Sequence, residues 1–492
     1  MENTYSLRKF VITVAIPIVT FWTVLFLFRY PLPHEDDLFF IGAAINLAKG
    51  GEFTNPLLEA WNSVFSSGKF YYHPPFHSFT LAAWLKLAGI STTSLLFFQY
   101  LCYNIFSLCL ALLLRFYAFP RVTALCTTII YAAWHCNPNP FQSSGFRHDA
   151  LGMAYLALGL WLLTKDSWLR YFLGFCFLGI AVFTSPITSA YAISFGIAII
   201  IINFINNKNN KNFPKYKYVT LRLLAFVAAI CLVVILFLIC INFDFHGFKS
   251  VFALHASYRR TSTIEAIPVF IKFITRYYGY ILLLPTYILY ILLSLGIYWK
   301  KDRINNWKLK ILLVGSNIGI ILNVLFYAGA IWFSFYFCWV GIVSIISVMF
   351  KERSKIRIYA FLVATLIFLS SQSLNILSLI EREYVTESQY QKIREVVLDK
   401  PKRKYAIDEI AARFVFDYKL PKNSIAWNFI KPAPDAYPIS AKDKKPGTIW
   451  IVSKSKLGHY VPEMQPDYPR VEFMGRKFNS LPKKPFDVIL IP

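Results

Sequence analysis

The sequence predicts a polytopic α-helical membrane protein of about eleven spans, N-terminus in and C-terminus out, ending in a small α/β extracytoplasmic domain. Three observations predict it. The 492 residues are 57% hydrophobic and only 16% charged, whereas a soluble chain of this length is far more polar. Several apolar runs exceed the roughly 18 residues needed to cross a bilayer. After Leu379 the composition turns abruptly polar and rich in lysine and proline. The chain therefore divides into a membrane part, 1–380, and a soluble part, 381–492.

The formal net charge of +25 would suggest nucleic acid in a soluble protein; here basic cytoplasmic loops account for it, and no nucleic acid is expected. Seven of the eight cysteines, Cys102, Cys109, Cys126, Cys176, Cys231, Cys240 and Cys338, fall in apolar runs, and Cys136 lies nearest a loop. With no CxxC, neither a disulfide framework nor a zinc site is expected.

Each element follows from hydropathy and charge. Arg8 and Lys9 precede a first span, about Phe10–Phe28, and place the N-terminus in the cytoplasm; without a small-residue cleavage site it reads as a retained anchor. The outer loop 29–94 follows. In it Leu38–Lys49 reads as a short amphipathic helix stopped by Gly50-Gly51, and Asn55-Pro56 as a turn. Pro74-Pro75 opens Phe76–Ala88, too short to span and expected not to cross. Spans Leu95–Leu114 and Val122–His135 flank the basic turn Arg115–Arg121, and the outer loop 137–149 comes next. Span Ala150–Thr164 returns to a basic turn, and Tyr171–Thr184 and Ile187–Phe204 form a hairpin around Ser185-Pro186. The strongest basic loop carries Lys208, Lys211, Lys215, Lys217 and Arg222. Leu223–Ile241 leads out to the loop 242–268; Val269–Tyr298, Ile311–Ala330, Phe335–Phe350 and Tyr359–Leu379 complete the count. In the soluble part, Ile407–Phe416 reads as helix, and Ile449–Val452, Val471–Phe473 and Val488–Ile491 as strands.

The residues able to carry chemistry lie in the outer loops. Glu35-Asp36-Asp37 is a run of three carboxylates at the mouth of an apolar helix, where charge is costly to bury. One reading is a solvated loop with Asp37 as the helix N-cap. The other is a general base or metal-ligand group at the membrane surface, since adjacent like charges raise one another's pKa. His73 before Pro74-Pro75 suits a helix start. Arg147-His148-Asp149 suits an ion pair at a span end, and His255 with Arg259 and Arg260 a basic surface patch. Arginine pairs also suit phosphate, which the planar guanidinium binds bidentately.

In order, these features resemble a family. An acidic pair, Asp36-Asp37, opens the first outer loop; Tyr71-Tyr72-His73-Pro74-Pro75 follows; Arg147-His148-Asp149 precedes a later span. This is similar to the GT-C glycosyltransferases, in the group with the lipid A aminoarabinose transferases and the protein O-mannosyltransferases. Asp37 stands where that group carries Glu. The resemblance covers roughly the first 190 residues and implies a GT-C-like membrane domain. It implies a sugar donor linked to a polyprenyl phosphate, an acceptor hydroxyl on a lipid, glycan or protein, and reaction on the extracytoplasmic face of the cell membrane. Asp36 would be the general base, with Asp37 beside it. His73, Arg147, Asp149, His255, Arg259 and Arg260 would serve the substrates. Tyr336 would lie near the lipid phosphate, although the arginine usual before that tyrosine is absent. The resemblance leaves metal dependence open: a divalent cation could be shared by Asp36 and Asp149. Two other functions compete. A lipid or glycan flippase would place acids mid-span, and a polysaccharide ligase would not need the Asp36-Asp37 pair.

Overall fold

The computed structural model describes residues 6–31, 36–58, 68–116, 145–164, 167–209 and 215–257, short pieces between 311 and 322, residue 395, and parts of 404–490. Among these, three stretches are long and apolar enough to cross a membrane: α1 (Leu7–Leu27), α4 (Thr92–Phe116), and Thr220–Cys240 within α8 (Lys215–Cys240). Their outward faces are bare hydrocarbon, as at Ile12 and Leu27 on α1 and Leu224, Ile235 and Ile239 on α8. In water such faces would aggregate; in lipid they are the proper surface. The basic loop expected before α8 is shorter than the sequence suggested. Helix α7 (Pro186–Asn209) includes Lys208, and Lys215, Lys217 and Arg222 belong to α8, because a helix continues through charge wherever its other faces stay apolar.

Helix α1 is fixed to α4 by Trp22. Its indole N–H donates to Ser107 Oγ at 2.9 Å, and its ring stacks on Tyr103 at 4.5 Å between centroids. Buried indole needs such a partner for its N–H. Helix α5 (His148–Leu162) packs on α6 (Trp168–Val182) through glycine: a Cβ on Gly159 would meet the Gly174 carbonyl at 2.9 Å. Phenylalanine pairs then join α6 to α8, Phe175 on Phe226 edge-on and Phe183 on Phe237 stacked.

The short helix expected at Leu38–Lys49 as amphipathic is instead buried. It runs Asp37–Ala48 (α2), and every residue from Asp37 to Ile45 is enclosed. The physical reason is in its residues: beyond Asp37, the stretch Leu38–Ile45 has no polar face to give to water. Asn55 holds its first turn by donating to the carbonyls of Leu38 and Phe39, each at 3.1 Å. Gly42 leaves room for that amide, which a Cβ would strike.

Helix α3 (Phe76–Ala88) begins directly after Pro74-Pro75, and the Phe76 N–H donates to the Phe183 carbonyl at 3.1 Å. The segment after α8 holds α9 (Phe245–Ser257).

In the C-terminal region, α10 spans Glu409–Phe414. The strands are β1 (Lys404–Ile407), β2 (Ser424–Ala426), β3 (Thr448–Ser453), β4 (Arg470–Phe473), β5 (Arg476–Asn479) and β6 (Phe486–Leu490). Four of them form a sheet in the order β2-β1-β3-β6, parallel except for the β3–β6 pair, and β4 pairs with β5. This region grips the helices. Arg413 donates to the carbonyls of Pro31 and Arg29, and Asp417 accepts from the Thr92 N–H at 2.6 Å.

Candidate active site

The first turn of α2 and the start of α5 bring three sequence-predicted residues into one network. Arg147 stands in extended backbone just before α5. Its Nε donates to Asp149 Oδ2 at 3.0 Å and its NH1 to Asp36 Oδ2 at 2.9 Å. Asp149 also accepts from Ser185 Oγ at 2.8 Å, with His148 Nε2 at 3.4 Å from the same oxygen. The Arg147 and Asp149 side chains are 5% and 1% exposed, against 34% for Asp36. Two charges that deep require mutual pairing and further hydrogen bonds, which Ser185 supplies on one side. Asp36 is thus the carboxylate of this network that faces outward. The guanidinium also stacks on Phe40, 4.8 Å from the ring centroid.

The Arg147 guanidinium bridges Asp36 and Asp149, the two carboxylates that a shared divalent ion would use. Among the described residues no group of three or more His, Cys, Asp or Glu is placed to hold a metal ion.

Asp37 is not the N-cap expected. The capping position belongs to Asp36, which makes no side-chain cap bond, and Asp37 is the first helical residue. Its carboxylate points inward, fully buried, and accepts the Phe146 N–H at 2.8 Å. The reason is that a backbone donor 109 residues away in sequence reaches it. Asp37 thereby fastens the acidic turn to the segment that carries Arg147.

His73 and His255 meet, but not as a surface patch. Their rings lie 5.1 Å apart inside a cluster of aromatic side chains. His73 lies 4.7 Å from His148, and Phe40 touches both imidazoles. Phe39 and Tyr72 enclose His255, which is 7% exposed. Helix α9 turns His255 inward because its apolar residues Phe248 and Val251 pack on the same core. Arg259, Arg260 and Tyr336 lie outside the described residues. Burial raises the Tyr72 hydroxyl well above its ordinary pKa, so it stays protonated.

Sequence reasoning missed several contributors. Ser185 was read only as part of a hairpin turn. Lys69, in the loop before His73, pairs with Asp244 at 3.2 Å, and Tyr71 OH donates to the Ile241 carbonyl at 2.9 Å. Together these tie the His73 loop to the end of α8. His77, the second residue of α3, lies 6.2 Å from His148. A histidine right after Pro74-Pro75 at the start of a largely apolar helix was the available signal for His77; nothing local marked Lys69 or Ser185.

Residues 72–237 match the family model described as dolichyl-phosphate-mannose-protein mannosyltransferase. That range takes in His73, Arg147, Asp149 and Ser185. Among solved structures, ArnT from Cupriavidus metallidurans bound to undecaprenyl phosphate is similar at 12% identity and a TM-score of 0.45, over 94% of this chain and 96% of that one. The oligosaccharyltransferase of Archaeoglobus fulgidus, in complex with zinc and sulfate, is similar at 11% identity and a TM-score of 0.49, over 91% and 69%. No curated protein sequence matches the chain.

Proposed function

We propose, from the premise that this chain is a membrane glycosyltransferase of the kind its residues 72–237 match, that it moves a sugar from a polyprenyl-phosphate donor to an acceptor hydroxyl. The observation that carries this reading is the Asp36–Arg147–Asp149 network, with its one outward carboxylate. Asp36 takes the proton of the attacking hydroxyl. The acceptor oxygen bonds to the anomeric carbon, the bond from that carbon to phosphate oxygen breaks, and the lipid phosphate leaves. Arg147, held by Asp149, supplies a fixed positive charge to the departing phosphate. The apolar faces of the helices suit the lipid tail. The reaction side is extracytoplasmic, by the charge distribution of the loops.

Asp36→Asn tests this. It removes a base and leaves the turn's shape, so the variant should insert and fold normally while transfer to acceptor falls by at least about a hundredfold, within the range of general-base contributions. The measurement is single-turnover transfer from a polyprenyl-phosphate sugar by purified protein. Turnover near wild type would remove Asp36 from the chemistry.

A further inference from the structure

The C-terminal region reaches the carboxylate pair with one residue that nothing above uses. Tyr418 is fully buried, yet its hydroxyl has no hydrogen-bond partner among the described residues. Its ring packs edge-on against Phe146 at 5.8 Å, and the N–H of that same Phe146 donates to Asp37. Arg413 lies over the other part of this contact, 5.6 Å from the Phe146 centroid. The charged groups around the phenol are Asp37, Arg413, Glu409 and Asp417, and burial with the nearby Asp37 charge keeps it protonated.

Two features make this placement costly. Phenylalanine would fill the same space without stripping water from a hydroxyl. The backbone is left-handed at two consecutive residues, Asp417 at φ 49° and Tyr418 at φ 58°, a conformation that side chains with a Cβ resist. Asp417 holds this turn in place by accepting from the Thr92 N–H. A strained turn that delivers an unsatisfied hydroxyl beside a buried carboxylate calls for a reason beyond packing.

We propose that Tyr418 is a positioning residue of the transfer reaction, its hydroxyl donating to the Asp37 carboxylate when substrate fills the site. A carboxylate accepts several donors, and hydrogen bonds of this kind commonly tighten only in the substrate complex. The bond fixes the turn that presents Asp36 next in sequence. This assignment rests on the transfer reading above, and it makes the C-terminal region part of the active site.

The test is Tyr418→Phe in the full-length protein, measured beside Asp36→Asn. The variant should melt at the same temperature as wild type or higher, because a desolvated hydroxyl is gone. Its kcat should fall about tenfold, the effect of losing one modest transition-state contact, with KM for both substrates within about twofold. The acidic limb of kcat should move to higher pH, since a lost donor disfavours the charged carboxylate. Wild-type kcat and an unmoved limb would overturn the assignment, as would a lowered melting temperature with unchanged activity of the folded protein. If Asp36→Asn is inactive and Tyr418→Phe fully active, only Tyr418 falls. A fully active Asp36→Asn overturns both readings.

Discussion

Arg147 serves two carboxylates with one guanidinium, and no other side chain has that reach in two directions. Arg147→Lys keeps the charge but offers a single ammonium point, so the contact to Asp149 or the one to Asp36 is lost. The lost charge-assisted contact corresponds to about 1.5–3 kcal/mol, or roughly tenfold to a hundredfold in rate. We expect that loss in kcat/KM for the lipid-linked donor, with acceptor KM little changed, when each substrate is varied in turn. An unaltered donor parameter would move the phosphate contact elsewhere. Asp36, Arg147 and Asp149 could be singled out from sequence because acids and arginines beside apolar runs are conspicuous. Their mutual contact could not: Asp36 and Arg147 are 111 residues apart, and a single sequence does not say which charges pair. Asp37 shows the limit most clearly. Its local surroundings fit an N-cap, and only a distant backbone N–H redirects its carboxylate.

At the scale of elements, apolar length located the helices well, and their ends less so. The first and fourth helices, α1 and α4, lie within a few residues of where hydropathy put them; α7 and α8 run further into the basic stretch between them. The burial of α2 was legible in its composition and was misread through its position in a loop. The junction between the His73 loop and α9 was illegible, because Lys69 and Asp244 stand 175 residues apart. This pair predicts a pH dependence. The Gly247 N–H and Lys69 hold Asp244 below the ordinary carboxylate pKa, while Asp244 raises the pKa of Lys69. A depressed carboxylate stabilises the fold above its unfolded pKa, near 3.8, and that contribution is lost as pH falls through the folded value. The raised lysine contributes below its unfolded pKa, near 10.5, and loses its share as pH rises through the folded one. Asp244→Asn should therefore melt below wild type at pH 6, with the gap closing toward pH 3. A gap of the same size at both pH values would show that the ion pair is not its source.

For the whole molecule, charge sets the expected orientation. The eleven-span arrangement puts the segment between α7 and α8 on the cytoplasmic side and the C-terminal region on the other. In a background lacking native cysteines, a cysteine placed between α7 and α8 should resist an impermeant thiol reagent applied from outside, and one near Lys444 should react. Labelling of both from the same side would refute the arrangement. Hydropathy anticipated the three described stretches long and apolar enough to cross a membrane. It gave no hint that the polar C-terminal region touches the chain just after α1, since Arg413 and Pro31 are separated by 382 residues.

The grip of Arg413 on the carbonyls of Arg29 and Pro31 also imposes a parity rule. Two segments in direct contact outside a bilayer occupy one side of it, so an arrangement consistent with this contact crosses an even number of times between residues 31 and 413, as the expected eleven spans do. The same rule applies between Asp36 and Arg147, and between Asp149 and Ser185, where the expected spans Ala150–Thr164 and Tyr171–Thr184 count as one pair. It applies to α3 as well. The Phe76 N–H is tied to Phe183 at one end, and Thr92, just past the other end, is tied to Asp417. With both ends tied to segments that the expected arrangement puts on one side, α3 is expected not to cross, and any revised count of spans must come and go in pairs around it.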